Sequence, residues 1–343
     1  MNHKSVLMTL VILLPAAASG AEIVNKDGNK LDLYGQLNGV HYFSSDANNN
    51  GDRSYTRFGF KGETQIGNAL TGYGQWEYQA GLDQPESAGP GDSYTRLGFA
   101  GLTFGHWGSL DYGRNYGLLY DVAGWTDVLP EFGNDSYEAA DNFMTGRANG
   151  LLTYHNRSLG GLVDGLDLGL QYQGKNRGDD AQRAKDIQTQ NGDGYAFSAT
   201  YDTGVGLNVG AAYANSARTL AQQRFGLADG DRARAWTLGL KYDQDNLYLA
   251  ASYARTENMT YVDGDRYAGF APRADAVEAV AQYHFDSGVT PSLAYLQTRG
   301  RNLPGIGDAD LVKYLDLALN YSFNANMSTY VEYKRSEERR VGK

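Results

Sequence analysis

The fold of this chain is decided by the stretch LDLALNYSF, which runs from Leu315 to Phe323. Large apolar side chains occupy every second position, and the positions between them are small or polar, including a carboxylate at Asp316. A period of two places successive side chains on opposite faces of a β-strand. The stretch therefore predicts a strand with one apolar and one polar face.

The same alternation recurs along most of the chain. About fifteen segments show it, separated by breaks that are rich in Gly, Asn and Asp. The clearest of these segments, apart from the first, are residues 31–38, 57–63, 75–79, 166–173, 236–242 and 277–285. An all-β fold is predicted.

Two all-β architectures share this pattern. A soluble sandwich or barrel turns its apolar face inward, whereas an outer-membrane barrel turns it toward lipid and lines its lumen with polar groups. The polar faces here carry full charges, and arginines stand in the middle of strands. The apolar faces end in aromatic residues that suit the girdles of a membrane barrel, namely Tyr42-Phe43, Tyr283-Phe285 and Tyr321-Phe323. Both features favour the transmembrane antiparallel barrel.

The breaks between strands differ in length in a regular way. Residues 202–204, 243–246, 286–288 and 324–326 are tight turns, and residues 44–52, 175–194, 216–232 and 255–275 are long and polar. Short turns on one side and long loops on the other are typical of outer-membrane barrels. A closed barrel also pairs every backbone N–H and C=O group inside the lipid.

Composition excludes several other classes. The 343 residues include 30 Lys and Arg against 40 Asp and Glu, a net charge of −10, and no Cys. The mean hydropathy of −0.51 excludes a bundle of transmembrane helices. The acidic balance argues against nucleic acid as a partner. Without Cys there are no disulfides and no thiolate metal sites.

The first twenty residues have the features of a cleaved export signal. Lys4 supplies the positive charge, Val6 to Leu14 forms the apolar core, and small residues precede Ala21. We therefore expect a signal peptide over 1–20, a barrel over 21–334 and an atypical charged tail over 335–343.

No catalytic or metal site is expected. The histidines of the mature chain stand apart from one another, so no metal or other cofactor is predicted, and no G-x-S-x-G motif marks a nucleophile. A calcium loop beginning at Asp46 is rejected because its twelfth position, which requires Glu, is Arg57. The four histidines are His41, His106, His155 and His284.

Several ordered segments resemble the general diffusion porins of enteric Gram-negative outer membranes, of the trimeric OmpC/OmpF type. The resemblance extends from Ala21 to about Lys334. The segments that carry it are Ala21–Gly35, Gly59–Gln65, Leu70–Tyr78, Asp111–Gly117, Asp127–Gly133, Gly161–Leu166, Gly305–Asp308 and Asn326–Val331.

The resemblance implies a homotrimer of sixteen-stranded barrels, each with a third loop folded into its lumen. It implies passive, weakly selective diffusion of small hydrophilic solutes and ions. It also implies contact with outer-membrane lipid and lipopolysaccharide, and exposed loops that phages or bacteriocins use. The matching positions are Arg57, Arg96 and Arg147 for a basic cluster on the wall, Asp127 and Glu131 for an acidic pair on the third loop, and Glu86 for a latch onto the neighbouring subunit.

The residue chemistry favours the same constriction independently of the resemblance. Several arginines on one face repel each other unless negative charge compensates them, and Asp127 and Glu131 on a loop opposite supply that charge. Opposed charges across a narrow passage create a transverse field, which favours dipolar solutes and slows apolar ones.

The chain departs from the family pattern in three places. Gln36 stands where many relatives carry a lumen lysine, which predicts a cation preference at least as strong as the family norm. Gly146 stands where phosphate-preferring relatives carry lysine. The tail after Lys334 lacks alternation and the terminal aromatic residue, and an odd strand count leaves an open edge. We expect the closing strand to be missing and the tail to be truncated or non-native.

Alternatives to a general porin remain at the level of sequence. They are a substrate-selective channel for oligosaccharides or anions, an outer-membrane barrel hydrolase, and a structural barrel with a plugged lumen. Stacked lumen aromatics would indicate the first, but Trp76 and Trp236 face lipid by alternation.

Overall fold

A computed structural model of the chain describes residues 6–14, 21–89, 93–176, 186–225, 227–262 and 268–337. Antiparallel strands make up nearly all of it. Their bounds are β1 Val6–Leu14, β2 Ala21–Lys26, β3 Asn29–Ser44, β4 Gly51–Asp52, β5 Tyr55–Gly67, β6 Leu70–Gly81, β7 Tyr94–Thr103, β8 Ser109–Tyr116, β9 Arg147–Asn156, β10 Leu166–Gln173, β11 Gly194–Asp202, β12 Leu207–Ala217, β13 Arg232–Gln244, β14 Leu247–Glu257, β15 Tyr261–Val262, β16 Gly269–Phe270, β17 Arg273–Tyr283, β18 Val289–Leu303, β19 Gly307–Asn324 and β20 Met327–Ser336.

Helical segments are confined to the connections. They are α1 Tyr120–Ala123, α2 Ser158–Gly161, α3 Leu220–Arg224 and the 3-10 turns Ala47–Asn49, Glu86–Ala88, Gly105–Trp107 and Ile187–Thr189. None of the helices in the described ranges is long and apolar enough to cross a membrane.

Sixteen strands form a closed ring. They are β1, β3, the ten strands β5 to β14 and the four strands β17 to β20, and each pairs with two antiparallel neighbours. The predicted antiparallel barrel is confirmed, and the place of the closing strand that was predicted to be missing is occupied by β1. Closure leaves no strand edge open in this ring.

The position between β3 and β20 is filled by β1, the predicted apolar core of the export signal. Val11 of β1 lies opposite Val40 of β3 on one side and opposite Tyr330 of β20 on the other. The sequence predicted about fifteen strands because this continuous apolar run lacks the period-two pattern. Hydrogen bonding between strands uses only backbone groups, so the run pairs without that pattern. Cleavage before Ala21 stays a prediction.

The barrel is apolar on its outside. On β19, Leu319 and Phe323 expose 53% and 51% of their surfaces, whereas Asp316 on the opposite face exposes 0%. A soluble barrel would have the reverse pattern, so the alternation of the opening stretch is confirmed together with its membrane orientation.

Aromatic pairs edge the outer surface at the short-turn end. The rings of Tyr283 and Phe285 lie 4.7 Å apart, and those of Tyr321 and Phe323 lie 4.9 Å apart. The predicted pair at 42–43 is wrong as a pair, because only Phe43 is exposed on the outside. Tyr42 is its neighbour in sequence and therefore points into the lumen.

The two ends of the barrel differ as predicted. At one end, β13 and β14 are joined through Asp245 and Asn246 with φ of 51° and 68°, which is the conformation of a tight hairpin turn. At the other end, the connections carry structure of their own, such as α3 with a capping box between Thr219 and Gln222.

The last strand is longer than the sequence predicted. β20 continues past Lys334, with Arg335 opposite Leu315 and Ser336 opposite Tyr314. Charge in the segment suggested a tail, but polar side chains are tolerated where a strand approaches the long-loop end. Residues 338–343 of the predicted tail lie outside the described residues.

Candidate functional site

The connection between β8 and β9, residues 117–146, folds into the lumen. Its helix α1 packs against β11, β12 and β13, with Val122 fully buried. The wall has glycines at the contact: a Cβ on Gly210 would lie 2.6 Å from Trp125, and one on Gly239 would lie 2.5 Å from Val122. The absence of side chains at these positions lets the loop lie directly against the wall.

Hydrogen bonds to β14 and β20 fix the loop further along its path. The hydroxyl of Tyr248 donates to the carbonyl of Trp125 at 2.6 Å. The backbone N–H groups of Glu131 and Phe132 both donate to the carboxylate of Glu332, at 2.9 and 3.1 Å. A carboxylate on β20 thus satisfies two loop donors, which positions the tip of the loop.

Arg57 lies on the wall formed by the early strands. Its Nε donates to Gln79 at 2.7 Å, and its guanidinium lies 4.7 Å above the ring of Tyr55. Gln36 is its neighbour in register on β3 and adds no charge. Within the described residues no carboxylate forms an ion pair with Arg57, so its charge is available to the lumen.

Arg96 differs from Arg57 in having a carboxylate partner. Its Nε lies 2.5 Å from Oε1 of Glu77, and the other oxygen of Glu77 accepts from Tyr34 at 3.1 Å. Arg96 is buried. The pair is nearly neutral toward the lumen, although Arg96 was predicted as a member of the basic cluster.

Arg147 and Asp127 are connected through two stacked tyrosines. The guanidinium of Arg147 lies 5.6 Å from the ring of Tyr116, which stacks on Tyr120 at 4.2 Å. The hydroxyl of Tyr120 donates to Asp127 at 2.5 Å. Burial, and next the charge of Asp127, raise the pKa of Tyr120, so this phenol remains a hydrogen-bond donor.

Glu131 is held at the tip of the loop by two phenols. The hydroxyl of Tyr42 donates to one carboxylate oxygen, and that of Tyr330 donates to the other at 2.9 Å. Both donors are neutral, so they orient the carboxylate without cancelling its charge.

Sequence reasoning missed several charged groups at the site. Arg114 on β8 pairs with both oxygens of Asp141, at 2.5 and 3.1 Å. Lys334 on β20 pairs with Asp135 of the loop at 3.0 Å, and its ammonium lies 3.7 Å from the ring of Tyr314. The alternation of Gln75, Glu77 and Gln79 placed Glu77 on the lumen face but did not reveal its partner.

Two further predicted positions lie away from the pore charges. Glu86 is exposed to solvent in the 3-10 turn between β6 and β7. Gly146 lies where the loop returns to the wall, and a Cβ there would be 2.8 Å from the carbonyl oxygen of Ala139. This loop path has no room for a lysine at that position.

One Ser–Asp–His contact occurs beside α1. Asp121 accepts a hydrogen bond from Ser198 at 2.5 Å and lies 3.3 Å from Nε2 of His155. In a catalytic triad the serine hydroxyl donates to the histidine, whereas this serine donates to the aspartate. The trio therefore lacks the arrangement that activates a serine nucleophile. His155 thus has a carboxylate partner that the sequence did not reveal.

The chain matches known proteins over most of its length. The family model described as Gram-negative porin matches residues 26–340. Outer membrane protein F of Serratia marcescens is 54% identical over 97% of this chain and 92% of its own length. Outer membrane porin C of Rahnella aquatilis is 55% identical over 91% of this chain and 93% of its own length.

A solved structure agrees with the fold and with the sequence. Salmonella typhi OmpF, determined in complex with daunomycin, superimposes with a TM-score of 0.82 at 42% identity, covering 92% of this chain and 99% of that one. The sequence, the barrel and the loop in the lumen point to the same conclusion: this chain belongs to the Gram-negative porin family of outer-membrane channels.

Proposed function

We propose that this porin mediates passive diffusion of small hydrophilic solutes and ions with a mild preference for cations. The observation that carries the preference is the unequal pairing of charges at the constriction. Arg96 is compensated by Glu77, whereas Asp127 and Glu131 are held by neutral phenols. Within the described residues, one of the three arginines is compensated and neither acid is, so two free cations face two free acids. Gln36 withholds the lysine that would shift this balance toward anions.

The remaining charges define how solutes pass. Arg57 and Arg147 lie on the early-strand wall, and the acids lie on the loop that crosses from it. Opposed charges in a narrow passage orient water and dipolar solutes, so apolar solutes pass slowly. No catalytic role and no cofactor is assigned to any residue.

The assembly we propose is a homotrimer in the outer membrane, with Glu86 contributing to a latch between subunits. Lipopolysaccharide is a further proposed partner, and charged groups at the long-loop end of β14, β17 and β18 support it. There Asp275 binds Arg255 at 2.8 Å and Arg301 at 2.9 Å. Phages or bacteriocins are proposed to use the exposed loops.

The test is single-channel recording in a planar bilayer under a potassium chloride gradient. We expect ohmic steps that close in threes and a reversal potential on the cation side. Arg57→Ala should move this potential further toward the cation value and Asp127→Ala should move it toward the anion value, because each removes one sign of charge. Equal shifts in the same direction would contradict the proposed field.

A further inference from the structure

A group of buried polar side chains lies behind the constriction loop, outside the charges assigned to permeation. Glu138 of the loop exposes 8% of its surface, and Glu278 of β17 exposes 1%. Three hydroxyl residues occupy the same boundary between loop and wall, Ser136 and Tyr137 on the loop and Thr237 on β13. The group joins the loop to the wall without lining the passage.

Hydrogen bonding leaves one oxygen of each carboxyl without a partner. Glu278 accepts from the hydroxyl of Thr126 through Oε2, and Glu138 accepts weakly from the N–H of Tyr137 at 3.4 Å. Both Oε1 atoms are buried and have no partner. An ionised carboxylate in such a place is strongly disfavoured, whereas a protonated one gains an O–H donor for the nearby oxygens.

The surroundings supply no positive charge to this pair. Among the described residues, no arginine or lysine forms an ion pair with Glu138 or Glu278. The nearby titratable groups on the loop and on β19 are acids and phenols, namely Asp135, Tyr137, Tyr314 and Asp316. Lys334 of β20 is already bound by Asp135.

Burial, and next the charge of Glu278, raise the pKa of the Glu138 carboxyl well above its usual range. A docked loop therefore binds more protons than a loop that has moved away and exposed the pair to water. The docked arrangement must lose stability relative to the open one as the pH rises.

We propose that Glu138 and Glu278 form a proton-binding site that fastens the constriction loop to the barrel wall. At neutral and acidic pH at least one carboxyl carries a proton and the loop stays docked. At alkaline pH both ionise, the two like charges repel across the boundary, and the loop loosens. This site regulates the passage proposed above, so it rests on that function.

The experiment records single channels of the parent, Glu138→Gln and Glu278→Gln between about pH 6 and pH 9, where the parent's closing events should rise about tenfold. Each amide variant should change less than about twofold over the same range, because only one carboxyl remains and two like charges can no longer repel each other across the boundary. Glu63→Gln removes an exposed carboxylate of β5 and should keep the parental response. A parent that does not respond to pH, or amide variants that respond like the parent, would overturn the proposal.

Infrared spectroscopy provides a readout that does not need a conducting channel. The folded parent at neutral pH should have a protonated-carboxyl band that weakens in both amide variants. If neither substitution affects the band, the proposal that Glu138 and Glu278 bind a proton is wrong. Silence of every protein in the bilayer would contradict the channel function, and the infrared band would still decide the proton site.

Discussion

The two sides of the passage hold their charges in different ways. On the early-strand wall, Arg96 is neutralised by Glu77 on the adjacent strand, so compensation is built into the register of the sheet. On the loop, Asp127 and Glu131 keep their charge because their partners are phenols. Wall charges depend on a rigid barrel, whereas loop charges depend on where the loop is docked. Substitutions on the wall should change selectivity, and those behind the loop should change stability and gating.

The largest effect is expected from Glu332→Ala, which removes the docking of the loop tip. The change leaves the N–H groups of Glu131 and Phe132 without their acceptor. Two half-buried donors without partners should lower the free energy of unfolding by about 2 to 3 kcal/mol. The loss of repulsion between Glu332 and the neighbouring Asp316 offsets only part of this cost.

Thermal unfolding followed by circular dichroism measures this loss, together with current noise in single channels. Glu332→Gln keeps an acceptor oxygen and should lose less stability. Glu337→Ala removes a half-exposed carboxylate that pairs with Lys313 and serves as the control. If the control and Glu332→Ala lost equal stability, loop docking would not depend on this carboxylate.

A smaller effect is expected from Glu77→Gln, which tests the compensation on the wall. The substitution leaves Arg96 with a full uncompensated charge in the lumen. The ratio of potassium to chloride permeability should fall about two- to fivefold. The reversal potential in a salt gradient measures it, with Glu63→Gln, near the short turn between β5 and β6, as the control. No change in the ratio would mean that the pair does not face the permeating ions.

The sequence predicted the fold far better than the site. Alternation at Leu315 to Phe323 was sufficient to predict a strand, because a period of two depends only on local geometry. The membrane orientation and the barrel needed the charged polar faces and the unequal lengths of the connections as well. The strand at Val6–Leu14 was missed because a continuous apolar run has no such period and is the same pattern as an export signal.

The partners of the site residues could not be predicted for a related reason. Glu77 and Arg96 meet across strands, and Glu131 meets Tyr42 and Tyr330 from both ends of the chain. Register and loop path bring these groups together, and neither leaves a local signal. The buried pair of Glu138 and Glu278 was invisible for the same reason.

The smallest effect is expected from Lys334→Met, which removes a positive charge that compensates the loop side of the passage. The loop acids Asp127 and Glu131 have phenol partners, whereas Asp135 is neutralised by the ammonium of Lys334 at 3.0 Å. The side chain of Lys334 also packs on the ring of Tyr314. Methionine keeps the apolar packing and removes the charge, so Asp135 should act as a third free acid of the loop. Because the pair is partly exposed, cation preference should rise only about twofold. The reversal potential should therefore move opposite to that of Glu77→Gln. Movement in the same direction would show that Lys334 acts through the position of the loop and not through its charge.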